Sequence, residues 1–321
     1  MRIAVTGSIA TDNLMTFPGR FAEQFLADKL DRVSVSFLVD RLEIRRGGVA
    51  ANIAFGLGVL GLRPLLVGSA GRDFGEYRSW LEHHGVDTGG VRESETLHTA
   101  RFVCTTDTDL NQIASFYPGA MNEDVDIDLT GLAGSVDLVV IGAGNPAAMH
   151  NLTGQCRELS IPFANDTSQQ LVSLDGEQIR DLVTGAAYLF CNDYEASLIE
   201  HKTGWSAAEL TAQVGVRVTT LGAEGARVDS DGQEPVLVGP VKDVAPADPT
   251  GAGDAFRAGF LAGVAWGLPH ERATQLANLL AVHTLETTGT QEYALEPAGL
   301  AARCAASYGQ AAADEIVAHL G

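Results

Sequence analysis

From residue 136 to residue 219 the chain repeats one pattern, a short apolar run followed by a helix-length segment. The apolar runs are Asp137–Gly142, Ile161–Asn165, Ala187–Cys191 and Gly215–Thr219, and the helices fall near 146–159, 170–183, 193–202 and 206–213. Unbroken apolar runs of this length are strands covered on both faces. Strands that alternate with helices pair in parallel, because each crossover returns the chain to the same end of the sheet. The expected class is α/β, a three-layer α/β/α core around a mainly parallel sheet. Ligands of such sheets bind beyond the C-terminal ends of the strands.

The first third is less regular. Residues 2–9 read as a buried strand ending in Gly7-Ser8, 49–60 as an apolar helix, Pro64–Ala70 as a strand and 74–84 as a helix. Within 10–46, Val33–Val39 alternates apolar with polar residues, and so do Thr99–Thr105 and Gln112–Tyr117. Alternation marks half-exposed strands. These insertions, about 13–46 and 96–120, are expected to pair into one small sheet that lids the C-terminal edge of the core. A strand pair, Ala226–Asp229 and Pro235–Val238, precedes helices at 251–266, 270–286 and 297–319. The 321 residues read as a single domain with its lid.

Composition removes several functions. A net charge of −20 argues against nucleic acid and anionic membranes as partners. Lys29, Lys202 and Lys242 are the only lysines and none follows a glycine, which excludes the P-loop; the protein-kinase Val-Ala-x-Lys is absent too. Cys104, Cys156, Cys191 and Cys304 form no metal pattern and read as buried, reduced thiols. The first residues run straight into a strand, and the uncharged stretch between Arg46 and Arg63 is shorter than the about 20 residues a spanning helix needs. A cytoplasmic protein without a signal peptide is expected.

The chemistry is concentrated in Asp248-Pro249-Thr250-Gly251-Ala252-Gly253-Asp254-Ala255-Phe256. Gly251, Ala252 and Gly253 let backbone N–H groups converge at a helix start, where the helix dipole favours an anion. Asp254, in the first turn, is placed to take a proton from an attacking hydroxyl. A second segment, Arg46-Gly47-Gly48-Val49-Ala50-Ala51-Asn52, combines a close-approach turn with an Asn. Asn52 is suited either to ribose hydroxyls or to its own backbone. Asp12, just after the first strand, can hold vicinal hydroxyls. Gln169 and Gln170 offer amides to a purine edge, while Phe102 and Phe116 either sandwich a base or pack the lid. Gly56–Gly61 spells the dinucleotide fingerprint, but it follows a helix rather than a strand, so a nicotinamide oxidoreductase is not expected.

Together these segments resemble the signatures of the ribokinase-like (PfkB) sugar and nucleoside kinases, and at finer grain bacterial adenosine kinases. The resemblance runs from Ser8 to Asp254 and includes Gln112–Met121 and Glu286–Glu292. It implies a ribokinase-like fold and ATP-dependent phosphorylation of the adenosine 5′-hydroxyl to AMP. Asp254 would be the general base, and Gly251, Ala252 and Gly253 the anion hole; Pro249, lacking an N–H, cannot contribute. The nucleoside would lie against Ser8, Asp12, Ser36, Gly48, Asn52, Phe102, Phe116, Gln169 and Gln170. Thr220, Leu221, Gly222 and Gly225 would line the ATP site, and Asn192 would help organise the metal and phosphate. Glu195 would hold Mg²⁺ through water, and Asp248 with the 287–291 loop would border a monovalent cation, K⁺. A homodimer through the lid is expected. Alternatives are ribokinase, inosine or guanosine kinase, or a non-catalytic nucleoside-binding regulator.

Overall fold

The computed structural model describes residues 1–25, 32 and 34–320. Strands β8 (Leu138–Ile141), β9 (Phe163–Asn165), β10 (Tyr188–Asn192) and β11 (Val216–Thr220) lie side by side and parallel, as the βα alternation requires. β1 (Ile3–Thr6) pairs in parallel with β8 on one side and with β4 (Leu65–Ala70) on the other. Among the described residues nine strands form this sheet. β5 (Asp87–Glu93) closes one edge, and the antiparallel β12 (Ala226–Asp229) and β13 (Val236–Val238) close the other. Chain direction along the sheet reverses between β1 and β8, which opens a crevice at their C-terminal ends.

Helices cover both faces. α1 (Val49–Val59), α2 (Gly75–His83), α7 (Ala252–Ala265), α8 (His270–Leu285), α9 (Pro297–Tyr308) and α10 (Gln310–Val317) share one apolar core. α3 (Pro146–Glu158), α4 (Gly176–Val183), α5 (Asp193–Thr203) and α6 (Ala207–Ala212) share the core on the opposite face. Among the described residues no helix is long and apolar enough to cross a membrane. All four cysteines are buried. The Gly56–Gly61 run belongs to α1 and its end. Gly56 is small because a Cβ there would stand 2.6 Å from the Cβ of Ala258, so it serves the packing of α1 on α7.

The lid is a separate sheet ordered β3 (Arg41–Gly47), β2 (Ala10–Thr16), β6 (Ala100–Thr106), β7 (Gln112–Tyr117). Its register sets Arg45, Asp12, Phe102 and Phe116 in one cross-strand row. That row faces the crevice. Leu42, Ile44 and Ile113 occupy the opposite face and are exposed.

Some elements differ from expectation. Residues 34–39 form no strand, because they have no ladder to join; Lys29 and Val33 lie outside the described residues. β5 was not expected, since its Gly-rich, charged sequence carries no apolar run. The 170–183 helix is a 3₁₀ turn, Ser168–Val172, followed by α4, which starts at an Asp175/Gln178 capping box. The 297–319 helix breaks at Gly309, whose φ of 93° ends α9.

Candidate active site

α7 begins at Gly251, which adopts a φ of 79° and leaves the first turn without a side-chain cap. Its leading amides are therefore free to meet an anion. Asp254 sits in that first turn with its carboxylate turned toward α1 rather than capping its own helix. Nδ2 of Asn52 donates to Oδ2 of Asp254 at 2.8 Å. Asn52 is itself anchored: Nε2 of Gln291 donates to its Oδ1 at 2.9 Å, and the Thr290 hydroxyl lies 2.9 Å from the same oxygen. Gln291 also donates to the Tyr77 hydroxyl at 2.6 Å, and Tyr77 donates to the Gly47 carbonyl at 2.8 Å. Burial pushes the Asp254 carboxyl up to about 6, against the pull of Arg257 and of the Asn52 hydrogen bond.

A cleft of about 360 Å³ opens over this carboxylate. Ser8, Asp12, Gly48, Asn52, Phe102, Phe116, Gln169 and Gln170 all line it, together with Gly251 and Asp254. Ser8 also accepts the Val49 N–H at 2.9 Å and so caps the start of α1. Gly48 has a φ of 96°, and a Cβ there would meet the Ser8 carbonyl oxygen at 2.5 Å. Burial raises Asp12 to about 6; Arg45 pulls it down and Asp248 pushes it further up. Ser36 does not line the cleft. It is exposed within the irregular stretch 34–39, so its expected place among the substrate residues is not met.

A second cleft, of about 540 Å³, lies on the other side of the α7 start. Thr220, Gly222 and Gly225 line it with Ala252, Gly253 and Phe256, whereas Leu221 and Asn192 do not. Leu221 is displaced because its backbone is tied to Gly225 across the turn at 2.8 Å. Asn192 is the N-cap of α5: its side chain accepts the Glu195 N–H at 2.7 Å, and Glu195 returns the bond to the Asn192 N–H at 2.8 Å. The two clefts meet at one helix start, with Gly251 and Asp254 facing the first and Ala252 and Gly253 the second.

The expected cations fit unequally. Glu195 uses Oε2 in the capping box, and Oε1 has no donor among the described residues, which suits a water on Mg²⁺. Asp248 already meets three donors. Its carboxylate accepts the Thr250 N–H at 3.0 Å, the Gly289 N–H at 3.2 Å and the Arg45 guanidinium at 3.3 Å. Arg45 brings positive charge to this carboxylate, while pairing more closely with Glu43, whose Oε2 lies 2.6 Å from Nη2.

Tyr77 and Arg257 carried no expected role, and Thr290 and Gln291 entered only as part of the loop expected to border a monovalent cation. Gln291 and Thr290 are buried polar residues in a loop, a signal that appears only once burial is known.

A profile of the pfkB family carbohydrate kinases matches residues 10–297. The nucleoside kinase of Methanothermobacter thermautotrophicus is 32% identical over 268 residues, spanning 82% of this chain and 86% of that one. The structure of Burkholderia thailandensis nucleoside kinase in complex with inosine superposes with a TM-score of 0.83 at 33% identity, covering 96% of this chain and 99% of that one. The complex of the same kinase with ADP-inosine gives a TM-score of 0.81 at 34% identity, covering 96% of each chain. With the mainly parallel core, the separate lid sheet and the Gly-rich start of α7 in place, these matches establish that the chain belongs to the pfkB family of carbohydrate kinases.

Proposed function

We propose that the protein is an ATP-dependent purine nucleoside kinase, with adenosine phosphorylated at its 5′-hydroxyl to AMP. One observation carries this reading: Asp254 and an uncapped helix start lie where a cleft lined by Asp12, Phe102, Phe116 and two glutamines meets a second cleft lined by Thr220, Gly222 and Gly225. Asp12 holds the ribose hydroxyls, the two Phe rings hold the base, and Gln169 and Gln170 address its edge. A nucleoside fits this lining better than a bare sugar, which has no face for the rings.

Asp254 takes the 5′-hydroxyl proton as the oxygen attacks the γ-phosphorus of ATP. A new O–P bond forms, the bond from that phosphorus to the β–γ bridging oxygen breaks, and ADP leaves with the electron pair. The amides of Gly251, Ala252 and Gly253 hold the phosphoryl oxygens throughout. Asn52 keeps the carboxylate aimed; this is a different task from the ribose contact expected of it. Glu195 would hold Mg²⁺ through a water, and the ion would supply positive charge against the phosphates. Closure of the lid excludes water and so limits ATP hydrolysis.

Inosine is the second substrate to weigh, because the Burkholderia thailandensis relative was solved with it and a glutamine amide can either donate or accept. Phosphoryl transfer to adenosine, inosine, guanosine and ribose, measured side by side, tests the reading. Ribose as the best acceptor would replace it with a sugar kinase, and no transfer to any acceptor would favour a binding regulator. The exposed lid face of Leu42, Ile44 and Ile113 is where a second copy docks in this proposal. A monomeric mass by light scattering would remove the dimer.

A further inference from the structure

Arg257 stands on α7 four residues after Gly253 and three after Asp254, so the three share one helix face. Helical side chains lean toward the N-terminus, which carries its guanidinium back over the first turn. Asp166, fully buried just beyond β9, pairs with one edge of that guanidinium: Nη2 donates to Oδ1 at 2.6 Å, and Nε lies 2.5 Å from Oδ2 as an ion pair outside hydrogen-bond geometry. Nη2 donates also to the Ser168 hydroxyl at 3.2 Å. This side-on grip leaves Nη1 at the opposite corner, with no acceptor among the described residues. Nη1 points at the helix start, and a Cβ on Gly253 would stand 2.7 Å from it. Arg257 is only 7% exposed, so its charge acts with little screening.

A structural ion pair would need Asp166 and a guanidinium edge. It would not need a nitrogen left without an acceptor beside Gly253 in the first turn, on a residue that itself lines neither cleft. In a chain with three lysines and a net charge of −20, fixed positive charge at this point is scarce. We propose that Arg257 is a catalytic residue whose Nη1 donates to the transferring phosphoryl group, with Asp166 as the residue that aims it. This rests on the phosphoryl-transfer reading above.

Removing Arg257 alone strands a buried carboxylate and destabilises the fold whatever its role. The test therefore uses the double variant Arg257→Met with Asp166→Leu, which removes both charges, beside Arg257→Lys, which keeps a cation on Asp166 but spares no nitrogen for phosphate. Both are measured for melting, for turnover with the best acceptor, and for binding of ADP against a non-hydrolysable ATP analogue. The expected result is wild-type-like melting of the double variant with turnover lowered about 100-fold or more, the scale of losing one oxyanion donor. In both variants the ATP analogue loses about tenfold in affinity while ADP does not. Turnover of the double variant within about tenfold of wild type, or equal losses for the two nucleotides, overturns the proposal. A wild-type protein that phosphorylates no nucleoside sinks the reading of the previous subsection instead, and the nucleotide comparison then decides Arg257 by itself.

Discussion

The side-chain amide of Asn52 holds the carboxylate of Asp254 at 2.8 Å, across 202 residues of sequence. One oxygen of the carboxylate is thereby occupied, and the other, which has no side-chain donor among the described residues, is the one that takes the substrate proton in the proposed mechanism. The same contact ties α1, which carries the close-approach turn, to α7, which carries the anion site. The active site is thus a joint between two helices of one core rather than a feature of either loop.

Asp254→Asn is expected to abolish turnover while nucleoside affinity stays within about threefold. The same change is expected to stabilise the fold. A carboxyl raised to about 6 in the folded state, from an ordinary 3.8, is more stable protonated, so its contribution to stability declines as pH rises from near 4 through 6. Removing it recovers at most about 3 kcal/mol at pH 8 and nothing below about pH 4. Denaturant unfolding at the two pH values checks this; equal stability of both proteins at pH 8 would contradict the burial argument.

Gln291→Leu removes one of the two anchors of Asn52 without touching either cleft. We expect kcat to fall about 10- to 100-fold, the cost of a misaimed group, with KM changed less than about threefold. The acid limb of kcat is expected to move to higher pH, because a loosened Asn52 holds the ionised form of Asp254 less well. An unchanged limb with lowered kcat would mean that Gln291 serves the fold alone.

Asp12 is raised to about 6 by burial, so in the empty cleft it gains a proton as pH falls through that value. A protonated carboxyl accepts ribose hydroxyls poorly. KM for the nucleoside is expected to rise below pH 6 while KM for ATP stays level. In Asp12→Asn the nucleoside KM is expected to be high and flat over the same range. Parallel changes in both KM values would point to unfolding rather than to Asp12.

Activity is expected to be the same in K⁺ and Na⁺, because Arg45 supplies the positive charge beside Asp248. Arg45→Ala exposes that carboxylate, and melting of this variant is expected to become sensitive to the monovalent cation present. Wild-type turnover lost on exchanging K⁺ for Na⁺ would show that the guanidinium is not a substitute.

Much of the fold was readable because its signals are local. Doubly covered strands show as apolar runs, and α5 and α7 begin at recognisable caps and glycines. β5 escaped because an edge strand needs no apolar run, and 34–39 misled because alternation supplies a strand's faces but not its partner. Asn192 was legible as the start of a helix, and the structure shows its Oδ1 taken by the capping box. Ser36 lies exposed in the stretch 34–39, away from the cleft.

Local sequence was enough for the alternation of elements and for a Gly-rich turn with Asp254 at the start of α7. Those depend on residues a few positions apart. The packed fold alone shows that Asn52 donates to Asp254, that Arg45 reaches Asp248 at 3.3 Å, and that Asp166 holds Arg257 beside Gly253. Each of those pairs is buried or half-buried charge whose partner lies at least 91 positions away. Burial makes the pairing obligatory, and the choice of partner is made by the packing of α1, α7 and the lid, which no local pattern records.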